Sequence, residues 1–568
     1  MLKNSKNWFY ASVILYFVSL GLAKIDIFFI FRWETFWLHI ASVAIIAFLY
    51  IRSFDIKHIA KKIKKPAEIN PLILILIASE ILNLIFIKTY PFVSLADELR
   101  DGGLYAMRIA DGSIRNIFGY GAYDAHGLII PTFAALFYKF FGPSVLTYRV
   151  PAALLSTADV FLTYLTIRLY LNKKAAFWSA LILATLPLHL FFARTQIVVA
   201  FNFFWTAAIL LSLLVLARRQ RSIDYVFLGT LIGFTSGFHA AVRALAVIVF
   251  IIALFVSAKH LIKFNPERVK KFFQNIFLLS LFALVGFGPR LLFTTPRDFF
   301  HTSRFVLEKN LNTGASLTIN DAQNIVSNYV YSLGVYFIEP TQFFYQDRNP
   351  ILSPVLAVFF LAGIYYALRF RKKYLIILLS LLFILPFFNS AITDYVNADH
   401  RISPLFAIVA IFAGIGIYAV TELIKPGRFK KIAFFLLLIY LAYQTSMFFI
   451  NQPANKKIEV KDYLSMHALY LLQQTPKEWA GSICFYVSPA NQKYYFNNPA
   501  ILEQQLYLTP GSQIQYADSK GINDNEAYVL KGACPEDYKN VTKKYEVECS
   551  QTPFECPLGD LGKITIYY

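Results

Sequence analysis

The sequence predicts a polytopic α-helical membrane protein, about 13 transmembrane helices followed by a small C-terminal extracytoplasmic α/β domain, on three observations. The first is composition. Of 568 residues, 57% are hydrophobic and 15% charged, mean hydropathy is +0.52, and Phe alone contributes 56. Soluble chains average about 45–50% apolar and about 25% charged. A water-soluble globule of this size could not hide so many Phe, Leu and Ile side chains, and so many aromatic residues exclude a disordered chain. The second is the grouping of the apolar residues into segments long enough to cross the hydrocarbon core. The third is the placing of Lys and Arg between alternate segments.

About 20 helical residues cross a hydrocarbon core of ~30 Å. Segments near that length run over 8–23, 36–51, 71–89, 144–168, 175–193, 197–217, 224–238, 240–258, 272–292, 351–368, 374–391, 402–423 and 431–450. The 224–238 segment is short enough to be a half-buried helix instead. The stretch 128–141 is apolar but carries Pro131 and is short. Counting it as a span would invert every later loop, so it reads as an interfacial helix on the outer surface.

The chain carries 54 Lys+Arg against 34 Asp+Glu, a net charge of +20. In a soluble protein that excess would suggest nucleic acid. Here the clusters are Lys3 and Lys6, Arg52 to Lys65, Lys173–Lys174, Arg218 to Arg221, Lys259 to Lys271, Arg369 to Lys373 and Lys425 to Lys431. With thirteen spans all seven fall on one face, as the positive-inside rule requires. The expected topology is multi-pass in the plasma membrane, with a cytoplasmic N terminus and an extracytoplasmic C-terminal domain. A cleaved signal peptide over residues 1–23 is the weaker reading, because no small-x-small site comes after it.

This topology divides the chain into five pieces. Residues 1–70 hold two N-terminal spans and a basic cytoplasmic loop. Residues 71–292 hold seven spans and an outer loop at 90–143; a second outer loop fills 293–350, and four more spans fill 351–450. The tail, 451–568, carries 11 Lys, no Arg and 13 Asp+Glu, and its net of −2 sets it apart from a body of +22. Runs such as ICFYV (483–487), AYVL (527–530) and KITIYY (563–568) read as strands. All four cysteines lie in this tail: Cys484, Cys534, Cys549 and Cys556. An even count in an outward domain suits disulfides, with three connectivities possible. A zinc site is the alternative, but the spacings lack a C-x-x-C pair.

The segment Ser94-Leu95-Ala96-Asp97-Glu98-Leu99-Arg100-Asp101 sets two adjacent carboxylates just beyond the third span. Acids at a helix start are ordinary. The residues after the pair make it more informative: a short helix over Leu104 to Ala110, Asp111-Gly112, then Tyr123-Asp124-Ala125-His126-Gly127, the interfacial helix, and Tyr148-Arg149-Val150-Pro151 opening the next span. Outward cations able to meet a phosphate are Arg149, Arg194, Arg290, Arg297, Arg304, Arg348 and Arg401, since a guanidinium fork suits phosphate oxygens. The plain alternative for each is a side chain snorkelling to the headgroups. Glu80 and Asp159 fall within spans, where a carboxylate is a functional candidate by default, or a group hydrogen-bonded between helices. His239 and Arg243 fall on a helix turn near the outer surface. Asn540-Val541-Thr542 matches a glycosylation sequon, a triplet frequent by chance.

The order of these motifs resembles the first outer loop of the GT-C glycosyltransferases, especially the protein O-mannosyltransferase and lipid A aminoarabinose transferase branch. The resemblance covers roughly residues 71–450; spans one and two look like an N-terminal addition. It implies a GT-C fold and sugar transfer from a polyprenyl-phosphate donor lipid to an acceptor protein, lipid or glycan, with inversion at the anomeric carbon. Asp97 matches the catalytic acid of the family, the base toward the acceptor hydroxyl or amine, and Glu98 would support it or orient the acceptor. The resemblance further implies that Tyr123, Asp124, His126, Arg149, Arg194, Arg290, His400 and Arg401 bind the donor phosphate or substrate. Asp399-His400-Arg401-Ile402-Ser403-Pro404 is similar to the Arg-x-x-Pro that opens a late family helix. Two departures leave the sugar open. Ala125 and His126 stand where the aminoarabinose branch commonly has Lys, and Ala200 and Asn202 stand where relatives often have Asp. Some relatives use a divalent cation and others none; for Mg2+ or Mn2+ the oxygen donors would be Asp97, Glu98 and Asp124. A transporter or flippase for lipid-linked sugars is the alternative, though no internal repeat accompanies it. A glycan ligase or polymerase would share the lipid-phosphate logic, and a sensor or assembly platform would leave the Asp97 loop without a role.

Overall fold

The computed structural model describes residues 2–25, 32–53, 66–87, 103, 105–114, 116–119, 127–142, 144–195, 198–258, 266–293, 319–341, 349–393, 396–424, 427–455 and five strands between 482 and 567. Its helices are α1 (Leu2–Ile25), α2 (Arg32–Ser53), α3 (Pro66–Leu84), α4 (Tyr105–Asp111), α5 (Ile129–Phe141), α6 (Val145–Tyr170), α7 (Lys173–Thr185), α8 (Pro187–Ala193), α9 (Val198–Arg219) and α10 (Ser222–Phe234). A 3-10 turn (Thr235–Gly237) leads into α11 (Ala240–Ala258), α12 (Pro266–Gly286), α13 (Gly288–Phe293), α14 (Ile319–Gly334), α15 (Pro354–Phe370) and α16 (Lys373–Pro386). A π-helical turn (Phe387–Ala391) precedes α17 (Asp399–Ile402), α18 (Leu405–Leu423) and α19 (Arg428–Asn455).

Helices occupy each of the thirteen apolar stretches, but among the described residues nine are long and apolar enough to cross a membrane alone, or ten with one bent pair. By that measure the expected 13 is not reached, for local reasons. Pro187 starts a new helix after Leu186, and α7 and α8 meet at 61°. A proline is well placed in a first turn but cannot continue the helix before it. The 224–238 segment yields only the 13 residues of α10 before the 3-10 turn. The apolar parts of α3 and α15 are short as well. The 128–141 stretch is α5, packed on α4 and α6 through Ile130, Ala134, Ala135 and Tyr138, with Phe140 and Phe141 exposed.

Contacts gather the described residues of the basic clusters at one end. Ser12 bonds to the Ser42 carbonyl at 2.8 Å, pairing α1 and α2 antiparallel and setting Lys3 and Lys6 beside Arg52. Arg221 donates to the Ser53 carbonyl at 3.0 Å, and Arg218 to the Leu169 carbonyl at 3.3 Å, next to Lys173. Glu422 accepts from Lys174 at 2.7 Å and from Lys430 at 3.2 Å. Gln220 reaches the Val256 carbonyl at 3.0 Å, and the rings of Tyr170 and Tyr374 lie 5.0 Å apart. Those links bring in the C-terminal end of α11 and the start of α16.

The interior is close-packed where glycines let backbones meet. A Cβ on Gly233 of α10 would stand 2.7 Å from Gly286 Cα on α12, and one on Gly416 of α18 would stand 1.7 Å from the Phe359 carbonyl of α15. Small residues at such crossings replace the hydrophobic drive that lipid removes. In the tail, β1 (Ser482–Val487), β2 (Gln513–Asp518), β3 (Glu526–Lys531), β4 (Lys544–Glu548) and β5 (Lys563–Tyr567) form one mixed sheet in the order β2-β1-β3-β5-β4. Pairs β1–β2 and β3–β5 are parallel, and β1–β3 and β4–β5 antiparallel. Cys484 is buried on β1; Cys534, Cys549 and Cys556 lie outside the described residues.

Candidate functional site

Asp97, Glu98, Tyr123, Asp124 and His126 lie outside the described residues, as do Arg297, Arg304 and Arg348. Arg149, Arg194, Arg290, His400 and Arg401 are described, and all five are buried. They share the end of the bundle opposite the basic clusters. Arg149 opens α6, which runs to Tyr170; Arg194 follows α8; His400 and Arg401 precede α18, which runs to Glu422. At 1.5 Å per residue these helices separate the two ends by about 30 Å.

Two of the arginines meet at the root of the Asp97 loop. A helix end leaves carbonyls without partners, and in lipid each must find a donor. The chain leaves α3 through Phe86 at φ +56. Arg194 donates from Nη1 to the Leu82 carbonyl at 2.6 Å and from Nη2 to the Ile85 carbonyl. Arg149 donates from Nη1 to the Ile87 carbonyl at 2.7 Å. The Arg194 guanidinium also stands 5.0 Å from the Phe449 ring centre. Both arginines, expected at the donor phosphate, thus spend donors on the last turn before the Asp97 segment. Arg194 is delivered by the bend at Pro187, and α8 is tied to α6 where His189 Nε2 stands 3.3 Å from Asp159 Oδ2. That contact has ion-pair distance without hydrogen-bond alignment. Nearby, Thr157 donates to Glu80 Oε2 at 2.6 Å, and Asn83 Nδ2 donates to the Ala153 carbonyl at 3.3 Å. The two intramembrane carboxylates therefore join helices α3, α6 and α8.

A second constellation converges on residues 235–241. Gly127, the first described residue after the Tyr123–His126 segment, donates its N–H to the Gly237 carbonyl at 2.9 Å. Arg290 donates from Nη1 to the Ser236 carbonyl at 3.2 Å. The His239 and His400 rings lie edge to face at 5.2 Å, and the His400 N–H donates to Asp399 Oδ1 at 2.6 Å. Asn389, in the π-helical turn, donates to the Ala241 carbonyl at 3.3 Å. Beside it Ser390 Oγ accepts from the Asn397 N–H at 2.7 Å and from Ser332 Oγ at 2.7 Å, with Asn397 at φ +57. A π turn and a non-glycine residue at positive φ are both costly, and such features cluster at functional sites.

Sequence reasoning missed Asn389, Ser390 and Asn397, and gave Asp399 and His239 no role. The available signal was the run of polar residues between Pro386 and Ser403, within an otherwise apolar stretch. Among the described residues no group of three or more His, Cys, Asp or Glu could hold a metal. The three oxygen donors named for a divalent cation all lie outside them.

Fold and site together define a multi-pass helical membrane protein whose buried cations and imidazoles collect at one end. Residues 125–293 match the family described as dolichyl-phosphate-mannose-protein mannosyltransferase, and over that segment the chain is similar to it. No curated protein matches the chain. Among solved structures, it is similar to the archaeal oligosaccharyltransferase AglB from Archaeoglobus fulgidus, in complex with an inhibitory peptide and a dolichol-phosphate. That likeness has 18% identity and a TM-score of 0.38, and covers 79% of this chain and 61% of that one. The chain therefore spans about three fifths of the archaeal protein's length. ArnT from Cupriavidus metallidurans is similar at 12% identity and TM-score 0.41 when bound to undecaprenyl phosphate, covering 77% of this chain and 75% of that one. Its apo state is similar at 13% and 0.45, covering 78% and 76%.

Proposed function

We propose that the protein is an integral-membrane glycosyltransferase, moving a sugar from a polyprenyl-phosphate donor to an acceptor hydroxyl or amine at the face opposite its basic clusters. The observation that carries this reading is the family match over 125–293, a segment that contains Arg149, Arg194, Arg290 and the Gly127 anchor. On this reading Asp97 is the base, Glu98 supports it, and the sugar is transferred with inversion. Tyr123, Asp124 and His126, which come just before the Gly127 anchor in sequence, bind the substrate. Arg290, His400 and Arg401 form the cationic side for the leaving lipid phosphate. Arg149 and Arg194 hold the root of the Asp97 loop. The basic end faces the cytoplasm of the plasma membrane, which sets the C-terminal sheet outside, where Cys484 can form half of a disulfide.

The test is reconstitution in liposomes with polyprenyl-phosphate sugars, comparing wild type with Asp97→Asn. General-base assistance contributes about 10²–10⁴-fold, so kcat should fall within that range while donor binding persists. Transfer that survives the substitution unchanged overturns the assignment of Asp97. Movement of the lipid-linked sugar across the bilayer without transfer favours the transporter reading.

A further inference from the structure

The α1–α2 hairpin lies outside residues 125–293, yet it is packed against the elements that hold the site. Tyr16, Leu20 and Lys24 recur every four residues, so they form one stripe along α1. Tyr16 donates its hydroxyl to the Val285 carbonyl in the last turn of α12. Lys24 Nζ donates to the Leu292 carbonyl in α13 at 2.8 Å, with its ammonium 5.6 Å from the Phe293 ring centre. Gly288 lies directly under the stripe: a Cβ there would stand 2.8 Å from the Tyr16 hydroxyl oxygen and 3.1 Å from Leu20 Cδ1.

The sequence explains why the first carbonyl needs an outside donor. In a helix the carbonyl of Val285 would accept from residue 289. That residue is Pro289, and proline has no N–H. In a bilayer an unmet carbonyl costs several kcal/mol. The N-terminal hairpin therefore supplies from α1 the donor that Pro289 withholds at the start of α13, and a second donor to Leu292 near its end. Between them sits Arg290, buried and bonded to Ser236. The other arm grips the opposite flank. Phe36 of α2 meets Phe133 at 5.8 Å, and His39 lies 5.1 Å from Phe118 and 5.2 Å from Phe234.

We propose that the hairpin is a working part of the transferase, in which Tyr16 and Lys24 are positioning residues that fix α13 and so aim Arg290 at the donor phosphate. This rests on Arg290 serving the phosphate in the proposed reaction. The test uses full-length protein in nanodiscs and the variants Tyr16→Phe, Lys24→Met and Gly288→Ala, the last forcing a methyl into the Tyr16 hydroxyl. Three quantities are read: hydrogen exchange of amides 286–293, affinity for undecaprenyl phosphate, and KM and kcat for donor. Loss of one such hydrogen bond should speed local exchange about three- to tenfold. Donor affinity should weaken and KM rise by similar factors, with kcat within about twofold.

Unchanged exchange in all three variants overturns the proposal. So does a lowered melting temperature with unchanged KM, which would make the hairpin a stabilising anchor only. If the wild type binds no polyprenyl phosphate, the proposed function fails; the exchange data then still decide whether the hairpin holds α13.

Discussion

Gly127 and Gly237 meet backbone to backbone: the N–H of one bonds to the carbonyl of the other at 2.9 Å, and a Cβ on Gly127 would lie 3.1 Å from Gly237 Cα. No flexible side chain is available to yield there, so a methyl must push the two strands of chain apart by a few tenths of an ångström. Gly127→Ala should therefore shift the Tyr123–His126 segment while leaving the helices in place. A misplacement of about 1 Å at a reacting centre can cost 10²-fold, so transfer should fall by about ten- to a hundredfold with the melting temperature little changed. Transfer at the wild-type rate would separate this anchor from the reaction.

Arg194 separates two roles that look alike in sequence. As a cap it needs a planar fork to reach the carbonyls of Leu82 and Ile85 together, which Lys cannot do. Hydrogen bonds from a charged donor are worth about 1.5–3 kcal/mol, so Arg194→Lys should lower stability in detergent by that order and loosen the root of the Asp97 loop. Thermal unfolding followed with and without undecaprenyl phosphate measures this. Unchanged stability with abolished lipid binding would return Arg194 to the phosphate.

The Asp159–His189 pair makes a different prediction. Both side chains are sealed between α6 and α8, so removing one partner strands the other. Asp159→Asn or His189→Gln should each cost about 1–3 kcal/mol. Replacing both with Leu should cost less than Asp159→Leu and His189→Leu added together, because each single change leaves the other buried polar group without its partner. Additive losses would show that the two do not interact.

The positions of the spans were legible because hydropathy and basic loops report on solvent, and solvent acts on every residue separately. Their number was less so. Whether 224–238 crosses as one helix depends on Thr235–Gly237 turning to receive Gly127 and Arg290, a tertiary matter. Among the candidates, Arg149 and Arg194 were found by type and position, but snorkelling, capping and phosphate binding share one sequence signature. Asn389 and Asn397 went unseen because a polar residue at a span end is ordinary. The hydrogen bond from Asn389 to the Ala241 carbonyl joins it to the His239 turn. Pro289 was visible throughout, yet its missing N–H gains meaning only once Tyr16 is found opposite the Val285 carbonyl.

The distribution of charge gives the last prediction. Glu422 joins Lys174 to Lys430, Arg221 reaches Ser53, and Gln220 reaches Val256, so the helix ends that flank the basic loops share one end of the bundle. Ser113, exposed after α4, belongs to the opposite end, where α4 and α5 pack with Phe118 and Phe234. The positive-inside rule assigns the basic end to the cytoplasm. With the four native cysteines replaced by Ser, Arg428→Cys should react with a membrane-impermeant maleimide only after the membrane is opened. Ser113→Cys should react in intact cells. Both residues are exposed, so burial will not mask either result. Labelling of both from the same side would break the one-sided arrangement and with it the topology; reversed labelling would turn the site toward the cytoplasm and remove the proposed outer-face reaction.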